Sequence, residues 1–88
     1  MAKRYLVICD SAYGYAPISD IIYTGNTLED AIEVLRKEVY NEKALWVLHS
    51  REYKIYTNSS TEFDIGEVND YRRYHTHMTI KKITIAED

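Results

Sequence analysis

Apolar residues fall on both parities of segment 3–9, with Tyr5, Val7 and Cys9 on one side and Leu6 and Ile8 on the other. A strand that is apolar on both faces belongs inside a sheet rather than at its edge. Residues 10–17 are dense in turn formers, with Asp10, Ser11, Gly14 and Pro17, and predict a loop. Segment 18–24 predicts a second strand, hairpin-paired to the first. The period then becomes helical. Leu28, Ile32, Leu35 and Val39 form one stripe with Ala31 beside them. Gly25-Asn26 breaks the strand, Thr27 supplies a cap with Asp30 three residues on, and Glu33 stands four before Lys37. Acids at the start and bases toward the end suit the helix dipole. Asn41 predicts a left-handed stop. Such a helix of about 14 residues is about 21 Å long.

Segment 44–48, around Trp46, is again apolar on both parities and predicts another central strand. Segment 52–57 alternates, with Tyr53 and Ile55 on one face and Glu52, Lys54 and Tyr56 on the other. His49, Ser50 and Arg51 either turn the chain between these two strands or continue one through. Residues 58–60 predict a turn. Segment 61–70 interleaves Glu62, Asp64, Glu67 and Asp70 with Phe63, Ile65 and Val68, the pattern of an edge strand or an acidic loop. Segment 71–85 predicts a long final strand whose apolar parity shifts at Lys81-Lys82, through a bulge or a change of environment. The expected fold is α+β in the order ββαββ(β): a mainly antiparallel sheet of four or five strands with one α-helix packed on one face. One helix covers one face of a sheet and not two. The other face should therefore expose apolar and aromatic groups, which monomers rarely leave bare over a large area.

The 88 residues fit one domain, 1–88. Nine tyrosines stand against one phenylalanine and one tryptophan. Tyrosine pairs an apolar ring with a hydroxyl that seeks a partner, which suits half-wet recognition surfaces. The single cysteine, Cys9, excludes an internal disulfide and points to a reducing, cytoplasmic setting. The apolar start, residues 5–9, is too short for a signal peptide or a membrane span. A net charge of −3 argues against a broad phosphate-binding surface while leaving room for a local basic patch.

Chemistry-bearing residues are sparse. His75 and His77 share a strand face about 6.5–7 Å apart, a workable spacing for two zinc ligands, with His49 as the candidate third. No Cys-x-x-Cys or fixed carboxylate accompanies them, so no metal and no cofactor is expected. His77-Met78-Thr79 resembles one half of the paired His-x-Thr motif of two-histidine phosphoesterases. The nearest second half, His49-Ser50-Arg51, lacks the hydroxyl residue at its third position. Arg72, Arg73, Tyr74, His75 and His77, with Arg51, Lys54 and Tyr56, form a basic aromatic set of the kind that pairs phosphates and stacks on bases. Tyr13 and Tyr15, either side of Gly14, are expected as loop anchors for a partner, joined by Tyr56 and by the carboxylates of Glu62, Asp64, Glu67 and Asp70.

In its compact single-domain length, acidic balance, tyrosine excess and lack of catalytic motifs, the chain resembles small accessory proteins of bacteriophages and mobile elements. That resemblance implies a non-enzymatic inhibitor that binds and blocks a host protein, such as a defence nuclease or a nucleoprotein complex. The alternative expectation is a nucleic-acid-binding or RNA-processing domain built on the basic aromatic strand. A third is a structural module that forms a homodimer through the open sheet face.

Overall fold

A computed structural model describes residues 2–14, 16–48 and 52–86. The elements run β1 (Ala2–Tyr13), β2 (Ile18–Gly25), α1 (Leu28–Leu48), β3 (Tyr53–Asn58), β4 (Glu62–Glu67) and β5 (Tyr74–Ile85). All five strands form one antiparallel sheet in the order β2-β1-β5-β4-β3. This is the α+β architecture that the pattern of apolar positions predicts, with the helix packed against the sheet.

The apolar segment at residues 3–9 does occupy an interior strand, between β2 and β5. That strand is longer than expected. Residues 10–13, expected in a loop, continue β1 opposite His77 to Tyr74. The reversal is confined to the residues after Tyr13 and is opened by Gly14, whose φ of 83° lies in the left-handed region that glycine enters without a Cβ penalty. Its N–H donates to the Arg73 carbonyl at 2.7 Å, which ties the hairpin to the start of β5.

Thr27 caps α1 as its position implies, accepting from the Asp30 N–H at 3.2 Å. The helix does not stop at Asn41. It runs 21 residues, about 31 Å by rise. Segment 44–48 is therefore its last turns and not a central strand. The reason lies in the spacing: Ala31, Leu35 and Trp46 are buried, and Glu42 completes their stripe at i, i+4, i+11 and i+15. An apolar run with both parities filled is equally the signature of a helix that is apolar on two sides. Leu28, expected on the buried stripe, is instead exposed.

The helix lies on the sheet face formed by Tyr5, Val7, Cys9 and Tyr13 of β1, Tyr74, Thr76, Met78 and Ile80 of β5, and Phe63 and Ile65 of β4. Val7, Phe63, Ile65, Met78, Leu35, Ala31 and Trp46 form the dry centre. Segment 62–67 is neither edge strand nor acidic loop. It sits between β5 and β3 because Phe63 and Ile65 face the helix and its backbone pairs on both sides. No bulge occurs at Lys81-Lys82. The β1–β5 register is continuous from Ala2 opposite Ile85 to Tyr13 opposite Tyr74. What changes is the environment, since β4 accompanies β5 only as far as Thr79. The register shifts fall on the two edge strands, leaving Ile22 of β2 and Tyr56 of β3 as the extra residues. Bulges there twist an otherwise open edge away from chance pairing.

Candidate interaction surface

Residues in register across an antiparallel ladder project to the same face. The face opposite α1 can thus be read row by row. Thr24, Leu6 and Lys81 form one row, and Ile21, Ile8, Thr79 and Glu62 the next. Ser19, Asp10, His77, Asp64 and Thr57 follow, then Ala12, His75, Gly66 and Lys54. Beyond Leu6 the two long strands continue alone, with Arg4 beside Ile83 and Ala2 beside Ile85.

One end of this face mixes apolar and basic groups. Leu6, Ile8 and Ile83 are half-buried, Ile21 is 58% and Ile85 42% exposed, and Arg4 and Lys81 stand among them in register with Ile83 and Leu6. The middle is polar. His77 Nε2 hydrogen-bonds Glu62 Oε2 at 2.7 Å, and Asp10 and Asp64 flank His77 in register on its two neighbouring strands. The far end is aromatic and partly closed. The Tyr71 ring lies over Gly66, where a Cβ would collide with ring carbons. It stacks on His75 with centroids 4.7 Å apart and meets Tyr56 edge-on at 5.3 Å. Its hydroxyl donates to Asp64 Oδ1 at 2.6 Å. Burial, and then the bond to that carboxylate, push the Tyr71 hydroxyl pKa well above the usual tyrosine value. Lys54 Nζ sits 5.3 Å from the Tyr56 ring centre.

The acids singled out in the sequence do not form one strip. Glu62 and Asp64 lie on this face. Glu67 stands opposite Tyr53, on the helix side. Asp70 lies in the turn before β5, where its carboxylate meets Arg73 at 3.4 Å and its carbonyl accepts from the Arg73 and Tyr74 N–H groups. The basic aromatic set is divided too. His75, His77 and Lys54 share the uncovered face, and Tyr56 meets it through Tyr71. Arg72 is exposed in the turn, and Tyr74 packs against the core on the other side. Arg51, Tyr15 and His49 lie outside the described residues.

Tyr13 is not a loop anchor. It is the last residue of β1, its ring packs under the helix with its centroid 6.3 Å from that of Trp46, and its hydroxyl donates to Glu42 and lies 2.7 Å from the Thr76 hydroxyl oxygen. Sequence reasoning missed this cluster. Glu42 Oε1 also accepts from the fully buried Thr76 hydroxyl at 2.6 Å and from Trp46 Nε1 at 3.3 Å. Three donors from two layers thus meet one carboxylate and latch the second half of the helix to the sheet. Burial and the bond to Glu42 push the Tyr13 hydroxyl pKa well above its ordinary value. The nearby Cys9 thiol is pushed up to about 11, mainly by burial and then by the charge of Glu42. A thiol so disfavoured as thiolate is a poor nucleophile. The available signal was Glu42 at a stripe position, visible once the helix is carried past Asn41.

Among the described residues, no three His, Cys, Asp or Glu groups stand close enough to hold a metal ion. Within the same residues, no helix is long and apolar enough to cross a membrane. Shallow grooves flank the helix, one of about 300 Å³ between Ile32, Leu35 and Val39 and the 58–60 turn. No protein-family model matches the chain, and no curated protein or solved structure matches it either.

Proposed function

We infer that the protein is a non-enzymatic interaction module that docks a protein partner on the sheet face opposite α1. One observation carries this reading. The helix lies on one face only, while Leu6, Ile8, Ile21, Ile83 and Ile85 occupy the other, over which the 68–73 turn reaches through Tyr71. The partner that fits has an apolar centre, a basic flank to meet Asp10, Asp64 and Glu62 around His77, and an acidic group to meet Arg4 and Lys81 beside Ile83 and Leu6. In the finer form of the reading, that partner is a host protein, such as a nuclease or nucleoprotein complex, which the module blocks. The whole-chain resemblance to phage and mobile-element accessory proteins supports this form, and the lone free thiol suits a reducing, cytoplasmic setting.

The test compares immobilised wild-type protein with Ile21→Lys and Ile85→Lys in quantitative capture from lysate. Both side chains are exposed, so both variants should fold. One protein should be enriched by the wild type and lost by about 10-fold or more in the variants, as for a central apolar contact. Equal enrichment by all three proteins, or by none, contradicts it. Salt-sensitive retention on a polyanion column would favour the nucleic-acid alternative carried by Lys54, Tyr56, Arg72, His75 and His77. A dimer in light scattering that Ile21→Lys dissolves would make a second copy the occupant of this face.

A further inference from the structure

The groove between the first half of α1 and the 58–60 turn has a mixed lining. Ile32, Leu35 and Val39 recur at i, i+3 and i+7, so a single helical stripe supplies its aliphatic part. Leu35 is buried, while Ile32 and Val39 are half-buried. Arg36 from the helix and Asn58, Ser59 and Ser60 from the turn complete it. Ser59 is occupied in holding that turn. Its hydroxyl oxygen accepts from the Thr61 and Glu62 N–H groups at 3.3 and 3.0 Å, and its N–H donates to the Glu62 carbonyl at 2.8 Å. Arg36, Asn58 and Ser60 are different. Among the described residues, their side chains make no hydrogen bond and no ion pair.

We propose that this groove binds the C-terminal carboxylate of a peptide chain that ends in a branched aliphatic residue. Charge selects the anion. The lining holds one cation and no carboxylate, in a chain whose net charge is −3. A guanidinium meets a carboxylate with a planar fork of N–H donors. The Asn58 amide and the Ser60 hydroxyl add uncommitted donors beside it. A neighbouring groove shares Ile32 and Arg36 but is lined also by Glu29, Glu33 and Lys37. Two carboxylates there repel an anion, and Lys37 is tied to Glu33 at 3.7 Å. The aliphatic stripe supplies the other half of the recognition, a wall for a leucine, isoleucine or valine side chain. At about 300 Å³ the groove stands at the small end of ligand sites and takes one terminal residue. It is also shallow, so a free acid would keep much of its surface in water. A chain end covers more, because the residues before it continue along the surface. Affinity is modest, with a Kd of about 0.1–1 mM. The groove lies beside α1 and the docking face lies opposite it, so the two readings stand or fall separately.

Amide NMR spectra of the full chain, titrated to about 10 mM with an acetylated tetrapeptide ending in leucine, test this. The expected result is saturable shifts centred on residues 32–39 and 58–60. The C-terminal amide of the same peptide should bind at least about 5-fold more weakly, and so should the free-acid peptide to Arg36→Gln. Arg72→Gln removes a cation outside the groove and should leave binding unchanged. Both arginines are exposed, so both variants should keep the fold. Acid and amide peptides that bind alike overturn the proposal. So do shifts centred elsewhere, no shift at all, or equal losses in the two arginine variants. Isocaproate that binds as tightly as the peptide would make the ligand a small free acid and overturn it too.

Discussion

Replacing Glu42 by alanine removes the shared acceptor of Tyr13, Thr76 and Trp46. Each hydrogen bond to a charged group contributes about 1.5–3 kcal/mol, but bonds that share one oxygen do not add. The loss is also partly offset, because the Tyr13 and Thr76 hydroxyls already stand 2.7 Å apart and can satisfy one another. Trp46 Nε1 loses its bond to Glu42. A net destabilisation of about 2–4 kcal/mol follows. For a chain of this size, each kcal/mol shifts Tm by about 4–8 °C, so a loss of roughly 8–30 °C is expected. Urea denaturation of Glu42→Ala, Tyr13→Phe, Thr76→Val and the doubles would show coupling above about 0.5 kcal/mol between Glu42 and each hydroxyl. A Glu42→Ala protein within about 0.5 kcal/mol of wild type would refute the latch, since that is the range of an ordinary surface substitution.

Gly66→Ala should cost about 1–3 kcal/mol by driving the Tyr71 ring off His75, and Tyr71→Ala in the same chain should recover most of that loss in a denaturation series. At pH 8 the native Cys9 thiol should be alkylated at least about 10-fold more slowly than the unfolded one, read by mass spectrometry. Its folded pKa of about 11 lies above the ordinary 9.0, so the unfolded chain releases this proton first. Stability should therefore fall as pH rises from about 9 toward 11, with the raised Tyr13 and Tyr71 hydroxyls adding to the decline above their ordinary pKa of 10. Glu62→Gln should change stability by less than about 1 kcal/mol, because both partners of its pair with His77 are partly exposed. A larger loss in thermal denaturation would mean that this face is drier than its exposure implies.

The strand–strand–helix opening was legible because each element carries a local signal that tertiary packing does not overturn. Thr27 caps, Leu35 lies on the buried stripe, and Leu6 and Ile8 make β1 apolar on its second face. The second half of α1 was not legible, because Ala44 to Leu48 satisfies strand and helix patterns alike and Asn41 mimics a stop. Only a partner outside the segment decides between them: the Tyr13 and Thr76 hydroxyls draw Glu42 down onto the sheet. The place of β4 in the sheet was hidden for a related reason. Its acids suggested an edge, but Glu62 and Asp64 lie on the uncovered face while Phe63 and Ile65 reach the core between them. Tyr71 was masked by its position in a turn, although the nearby Gly66 leaves room for a ring.

Oxidative footprinting of the free protein and of its complex with the captured partner tests the docking face most directly. His77, Tyr56 and Ile8 should react in the free protein and be protected on binding, while the surfaces beneath α1 stay unreactive in both. Protection confined to the outer side of the helix, or none at all on the sheet rows around Ile8 and His77, would contradict it.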